Sequence, residues 1–191
     1  MDFYRPDFPV RRIFESSLLL IICCAFYLAW WLLAFKPTGA VKGMKTGWLL
    51  IPAFAAGLAA IFLAIGGIQA VPAGAAVSPG LIFWGGIAAY LILLAITRLL
   101  LKRPVTTELF LIVGWAMLAL SEINALYGTG RFSQRPATFF AAAIGAAALA
   151  SLVCYVLYYD LGSRAGYFDG MIPLLLVGLV TAGITVAIGA A

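Results

Sequence analysis

The sequence predicts an all-α, polytopic membrane protein in which six transmembrane helices form a single bundle. Of the 191 residues, 65% are hydrophobic and only 10% are charged, whereas roughly a quarter of the residues in a soluble domain are charged. The hydrophobic residues also form continuous runs of the length that crosses about 30 Å of hydrocarbon. Together these observations exclude a soluble enzyme and a disordered chain.

The basic residues do not indicate binding to nucleic acid. The formal net charge is +5, but the basic residues are scattered between the hydrophobic runs rather than gathered in a stripe. Basic residues at the ends of membrane spans are expected from membrane topology. The predicted partner is therefore the lipid bilayer, with no nucleic acid, and we expect a multi-pass protein of the cell membrane.

Six hydrophobic runs are long enough to span the bilayer. Each is expected to be helical, because lipid offers no partner for free backbone groups, and continuous runs exclude transmembrane strands, which alternate with a period of two. The connections contain Pro and Gly and are too short for a second core, which predicts one transmembrane domain over residues 1–191. The predicted spans are 16–35, 47–71, 81–101, 104–127, 138–159 and 171–190.

The first run is expected to stay as a span rather than to be cleaved as a signal peptide. It is longer than the usual apolar region of about 7–15 residues, and no A-x-A site follows it directly. It ends in Trp30 and Trp31, which are typical of the membrane interface. Pro52 and Pro173 lie near the starts of the second and sixth spans, where proline is tolerated, so they do not by themselves indicate a broken-helix site.

The third and fourth spans are joined by a tight turn with one charged residue on each side of it. Arg98 lies five residues before Arg103, and Glu108 lies four residues after Pro104, so both are expected about 6–8 Å below the membrane interface. We expect a structural ion pair between Arg98 and Glu108. The alternative is that Arg98 extends to lipid phosphates and Glu108 is an ordinary acid near a helix N-terminus.

The fourth span carries the candidate site. Glu108, Trp115 and Glu122 follow one another at intervals of seven residues, which places them on one face of a helix. Ionisable residues at a helix centre in the membrane cost roughly 2.5–3.5 kcal/mol and usually mark function or pairing. We expect this face to point into the bundle and to line a path for a solute or a proton. Asn124 belongs to the same polar segment, and Gln69 is expected on the same membrane side, within hydrogen-bonding reach of Glu122.

Glu122 has a second interpretation that the sequence leaves open. It lies near a span end, where a hydrated carboxylate could pair with Arg131 or Arg135. In that arrangement it would be an interfacial group in contact with water, and its pairing would contribute little.

The fifth and sixth spans carry small residues at intervals of four. Small residues at this spacing let helix backbones approach closely, which favours association in lipid. We expect these two helices to pack against each other, and the competing interpretation is a homo-oligomer face. The residues are Ala142, Ala146, Ala150 and Cys154 in the fifth span, and Gly178, Ala182, Gly183 and Ala187 in the sixth.

No pattern predicts a cofactor, a metal or a catalytic set. Histidine is absent, which removes the usual zinc, haem and imidazole chemistry. The three cysteines lie in hydrophobic runs without CxxC spacing. Two loop aspartates, Asp160 and Asp169, are too few to hold Mg²⁺. We therefore predict no cofactor and no metal, and an enzyme is the less favoured interpretation.

The sequence supports three functional hypotheses. The first is a small transport protein or solute-binding membrane subunit, with a small-molecule solute bound near the polar face of the fourth span. The second is a membrane enzyme acting on lipid-linked substrates. The third is a structural or assembly partner of other membrane proteins, including a homo-oligomer. Lys and Arg are nearly balanced between the two membrane sides, so they do not fix the orientation.

Overall fold

The computed structural model describes residues 7–36, 46–71, 77–102 and 106–191. These residues are almost entirely helical and contain no strand. The helices are α1 (Asp7–Ala34), α2 (Leu50–Gln69), α3 (Pro79–Ala95), α4 (Thr106–Gly128), α5 (Gln134–Leu157), α6 (Ser163–Asp169) and α7 (Ile172–Ala190). Short turns of tighter or wider helix adjoin three of them, at Thr46–Leu49, Ile96–Leu100 and Tyr158–Asp160.

The predicted fold class is confirmed. Within the described residues, six helical segments are long and apolar enough to cross a membrane, which makes the chain a multi-pass membrane protein. These segments are Phe8–Ala34, Thr46–Gln69, Pro79–Leu100, Thr107–Gly128, Gln134–Asp160 and Ser163–Ala190.

Two segments expected outside the spans are helical. α1 begins at Asp7 rather than at residue 16, because its first turns form an amphipathic helix with an apolar face toward the bundle and charged residues on the surface. Ile13 is fully buried, while Arg11 and Glu15 pair on the surface of the helix. α6 forms where the sequence predicted a loop between the fifth and sixth spans, and it leads directly into α7.

α4 lies at the centre of the bundle. It packs against α3 and α5 and also meets α2 and α1, while α1 packs most extensively against α2 and then against α7. The face of α2 that is buried consists of small residues at intervals of three or four, which is the pattern that allows close helix approach. They are Ala53, Ala56, Ala60, Ala64 and Gly67.

The small-residue face predicted on the fifth span is not the one that packs. α5 and α7 are in contact, but Ala142, Ala146 and Ala150 are exposed. Phe140 of α5 packs against Gly183 of α7, and of the predicted face only Cys154 is buried. The buried residues of α5 are Ile144, Ala147, Ser151 and Cys154.

Consecutive spans run in opposite directions, so the bundle has two distinct sides. We name the membrane side on which α1 begins and α4 ends the first side, and the opposite one the second side. Interhelix contacts agree with this arrangement. Arg131, just after α4, bonds Ile188 at the end of α7, and Trp31, near the end of α1, bonds Tyr167 of α6.

Candidate functional site on the fourth helix

One continuous face of α4 points into the bundle. From Leu109 to Glu122 its buried residues recur every three or four positions, which is the spacing of a single helix face, and beyond Glu122 the buried face widens to include neighbouring positions. Trp115 is 8% exposed and Glu122 is 3% exposed, whereas Glu108, near the start of α4, is half-buried. The stripe that the sequence singled out therefore lies toward other helices. The buried residues of α4 are Leu109, Ile112, Trp115, Ala119, Glu122, Ile123, Ala125 and Leu126.

Glu122 accepts a hydrogen bond from Ser16 of α1. Ser16 Oγ lies 2.9 Å from Glu122 Oε1, and Ser16 is only 1% exposed. From the helix rise, Ser16 lies about 14 Å from the start of α1 and Glu122 about 9 Å from the end of α4. Both therefore lie within the membrane-spanning segments Phe8–Ala34 and Thr107–Gly128, in the half of each that is nearer the first side. A carboxyl group held by a hydroxyl and closed off from water is the central feature of this site.

Further polar groups lie in the interior of the bundle. Among the described residues, the buried atoms Ser17 Oγ and Trp115 Nε1 have no hydrogen-bond partner. On α7, Thr181 and Thr185 are buried, and Thr185 Oγ1 donates to the Thr181 carbonyl at 2.8 Å. Unpartnered buried polar atoms are uncommon in native proteins and need an explanation.

Asn124 lies on a different face of α4 from Glu122. The two residues are separated by about 200° around the helix, and Asn124 bonds the backbone of Val77, just before α3. Val77 N donates to Asn124 Oδ1 at 3.1 Å, and Asn124 Nδ2 donates to the Val77 carbonyl at 2.8 Å. The structure therefore does not bring Glu122 and Asn124 together, although they are neighbours in sequence.

Gln69 does not reach the carboxyl group either. It ends α2 with an exposed side chain, and the hydrogen bond that Glu122 accepts comes from Ser16. The second helix meets the first side of the bundle as expected, but its last turn presents Gln69 outward.

Arg98 and Glu108 both lie on the second side of the bundle, and the ion pair between them stays a prediction. Arg98 is exposed in the π-helical turn Ile96–Leu100. Glu108 is half-buried in the first turn of α4. The predicted turn residues Arg103 and Pro104 lie outside the described residues.

The basic residues that could have paired with Glu122 in the interface are placed elsewhere. Arg131 donates to the Ile188 carbonyl, from Nη2 at 2.6 Å and from Nε at 3.2 Å. It thereby satisfies one of the free carbonyls at the end of α7, where a cation is also favoured by the helix dipole. Arg135 is exposed on α5. The hydrated, ion-paired interpretation of Glu122 is not the arrangement in the structure.

Ser16 is the residue of this site that sequence reasoning missed. A signal was present, because Ser16 and Ser17 open the first hydrophobic run on the same membrane side as Glu122. In the described part of the chain, no three side chains of His, Cys, Asp or Glu come together in a way that could hold a metal ion. The site thus consists of one carboxyl group, hydroxyl groups and an indole.

Comparison of the chain with protein-family models, with curated proteins and with solved structures gave no match. The functional argument therefore rests on the site itself.

Proposed function

We propose that the chain is a small integral membrane transport protein, or a solute-binding membrane subunit, that acts in the cell membrane. The path of the transported proton or solute passes Glu122 and Ser16. The observation that carries this proposal is the buried carboxyl group of Glu122, 3% exposed within a membrane-spanning helix. A carboxyl group at this depth is costly, and such groups usually mark substrate paths or proton relays.

The position of the Ser16–Glu122 bond suggests how the site opens. It joins α1 to α4, two helices whose packing against each other is slight compared with the packing of α1 on α2 and α7. Movement of α1 with α2 relative to α4 would break this one bond and expose Glu122. Relative movement of helix groups is the usual means by which transporters give access to a site, and this movement would give access to Glu122 from the first side.

Proton flux into liposomes tests this proposal whatever the identity of the solute. The purified protein is reconstituted with a pH-sensitive dye inside, the membrane voltage is clamped, and the outside is acidified. We expect flux above that of protein-free liposomes, and we expect Glu122→Gln to reduce it to that background. Uptake of a panel of labelled small solutes under the same pH gradient gives the second readout, and it should be lost in the same variant.

Glu15→Gln is the matched control, since it removes the neighbouring carboxyl group on α1. Glu15 pairs with Arg11 at the surface and does not face the interior site. Its variant should keep the wild-type flux. Full flux and uptake in Glu122→Gln, or wild-type protein that moves neither protons nor any solute, would contradict the proposal.

A further inference from the structure

A groove lies on the face of α4 that points away from Glu122. It is open to the surface between α3, α4 and α5 and has a volume of about 440 Å³, within the range of roughly 300–1,000 Å³ that ligand sites occupy. α3 and α5 flank α4 on either side. Ala137 and Ala141 of α5 line the groove, and their small side chains leave the space between α3 and α5 open.

The polarity of the groove changes with depth in the membrane. Tyr127 and Gln134 line it where α4 ends and α5 begins, at the first side. Leu120 precedes Tyr127 by seven residues, and Ala141 follows Gln134 by seven. Both also line the groove, and they lie about 10 Å further from the first side. Thr138 adds a hydroxyl group one turn below Gln134. One end of the groove therefore offers hydrogen-bonding groups and the other offers only hydrocarbon.

No charged residue is among the described residues that line this groove. Its wall on the first side includes Val77, which Asn124 holds in place through two hydrogen bonds. Several lining side chains are exposed at the surface of the bundle, among them Thr138 and Tyr127, and the surface of a membrane-spanning segment adjoins lipid. The groove is thus accessible from the bilayer.

We propose that this groove binds a single-chain amphiphile with an uncharged, hydroxyl-bearing head, of the monoacylglycerol type. The head bonds Gln134, Thr138 and Tyr127 near the membrane surface, and the acyl chain lies along Leu120 and Ala141. The polar head matches the polar end of the groove, and the acyl chain matches its apolar end. This correspondence indicates an amphiphile. The proposal is independent of the transport path, since Glu122 does not line the groove.

Photolabelling tests the proposal on the full chain in liposomes. The probe is a monoacylglycerol with a diazirine in its acyl chain, and the labelled peptides are identified by mass spectrometry. We expect labelling on α4 and α5 at the groove, and we expect unlabelled monoacylglycerol to compete for it. Ala141→Phe fills the groove and should abolish the labelling. Ala142→Phe places the same ring on the exposed neighbouring position and should leave it unchanged.

A second variant and a second probe distinguish a specific site from ordinary lipid contact. Gln134→Leu with Thr138→Val removes polar groups without adding bulk, so it should weaken labelling even if Ala141→Phe fails to fold. The same acyl chain on a phosphate head should label the groove less. Equal labelling by both probes, stronger labelling by the phosphate probe, or labelling that survives in Ala141→Phe would overturn the proposal.

Discussion

Hydrogen bonds between helices and contacts between aromatic rings occur on both sides of the bundle, but the larger group of packed rings lies on the second side. On the first side, single polar side chains join separate helices or segments across the bundle, and each makes one or two well-defined hydrogen bonds. The bonds run from Ser16 to Glu122, between Asn124 and Val77, and from Arg131 to Ile188.

On the second side, aromatic rings pack against one another around the end of α1. Trp31 stacks on Phe35 with ring centroids 4.4 Å apart, and it meets Tyr158 edge-on at 6.3 Å. Its indole Nε1 also donates to the Tyr167 carbonyl at 3.1 Å. Gly170, just after α6, lies in close contact with the same indole ring.

The difference shows where the bundle can open. A hydrogen bond is lost when one partner moves, whereas aromatic packing is spread over many atoms and also anchors rings at the membrane interface. We therefore expect the second side to act as the fixed end of α1. The first side, which holds the buried carboxyl group, is then the end at which helices separate.

The largest effect is expected from a substitution in the aromatic packing on the second side. A Cβ atom at position 170 would collide with the indole ring of Trp31, which its own hydrogen bond holds in place. Gly170→Ala should lower the free energy of unfolding by about 1–3 kcal/mol, the usual cost of overpacking. Thermal unfolding in detergent measures it. Gly162→Ala is the control, because no heavy atom lies within 4 Å of its Cβ position. Equal unfolding temperatures for both variants would show that the indole is not fixed.

The second prediction concerns the first side and compares substitutions of two adjacent serines. Ser16 and Ser17 are each 1% exposed, but Ser16 donates to Glu122 while Ser17 Oγ has no partner in the described residues. Ser16→Ala should cost about 1–2 kcal/mol, since it leaves a buried carboxyl group without its donor. Ser17→Ala should be neutral or stabilising. Equal losses in both variants, measured by the same unfolding assay, would contradict a specific role for the Ser16 hydroxyl.

The sequence predicted the membrane class and the six crossings well, because both follow from local composition and length. The interior face of α4 could also be predicted, since a seven-residue interval fixes which residues share a helix face. The hydrogen-bond partner of Glu122 could not be predicted from the sequence. Ser16 lies 106 positions away, and no local pattern specifies which helix packs against which.

The errors in detail have the same origin. Asn124 follows Glu122 by two residues and so belongs to another face, which grouping polar residues by sequence proximity overlooks. Small residues occur on several helices, and the α2 face rather than the predicted α5 face is the buried one.

A smaller effect tests the Asn124 contact on the first side. Asn124→Leu removes both hydrogen bonds to Val77, and because this contact is exposed we expect a loss of only about 1 kcal/mol. The local consequence should be clearer than the global one, namely faster amide hydrogen exchange at Val77. Gln69→Leu removes an exposed amide on the same membrane side and should leave that exchange unchanged. Unaltered protection of Val77 in Asn124→Leu would show that the contact does not order this segment.

The smallest effect concerns Arg11 and Glu15, directly beside the buried bond. Arg11 Nε lies 2.8 Å from Glu15 Oε1, a separation almost equal to the 2.9 Å between Ser16 and Glu122. The Arg11 side chain is 79% exposed, however, and exposed pairs at this helix spacing contribute about 0.3–0.5 kcal/mol, which salt weakens further. Arg11→Gln should therefore change the unfolding free energy by no more than that, and the change should vanish in high salt. A loss as large as that of Ser16→Ala would mean that distance, and not burial, decides what polar contacts contribute on this side. The contrast between the two sides would then lose its physical basis.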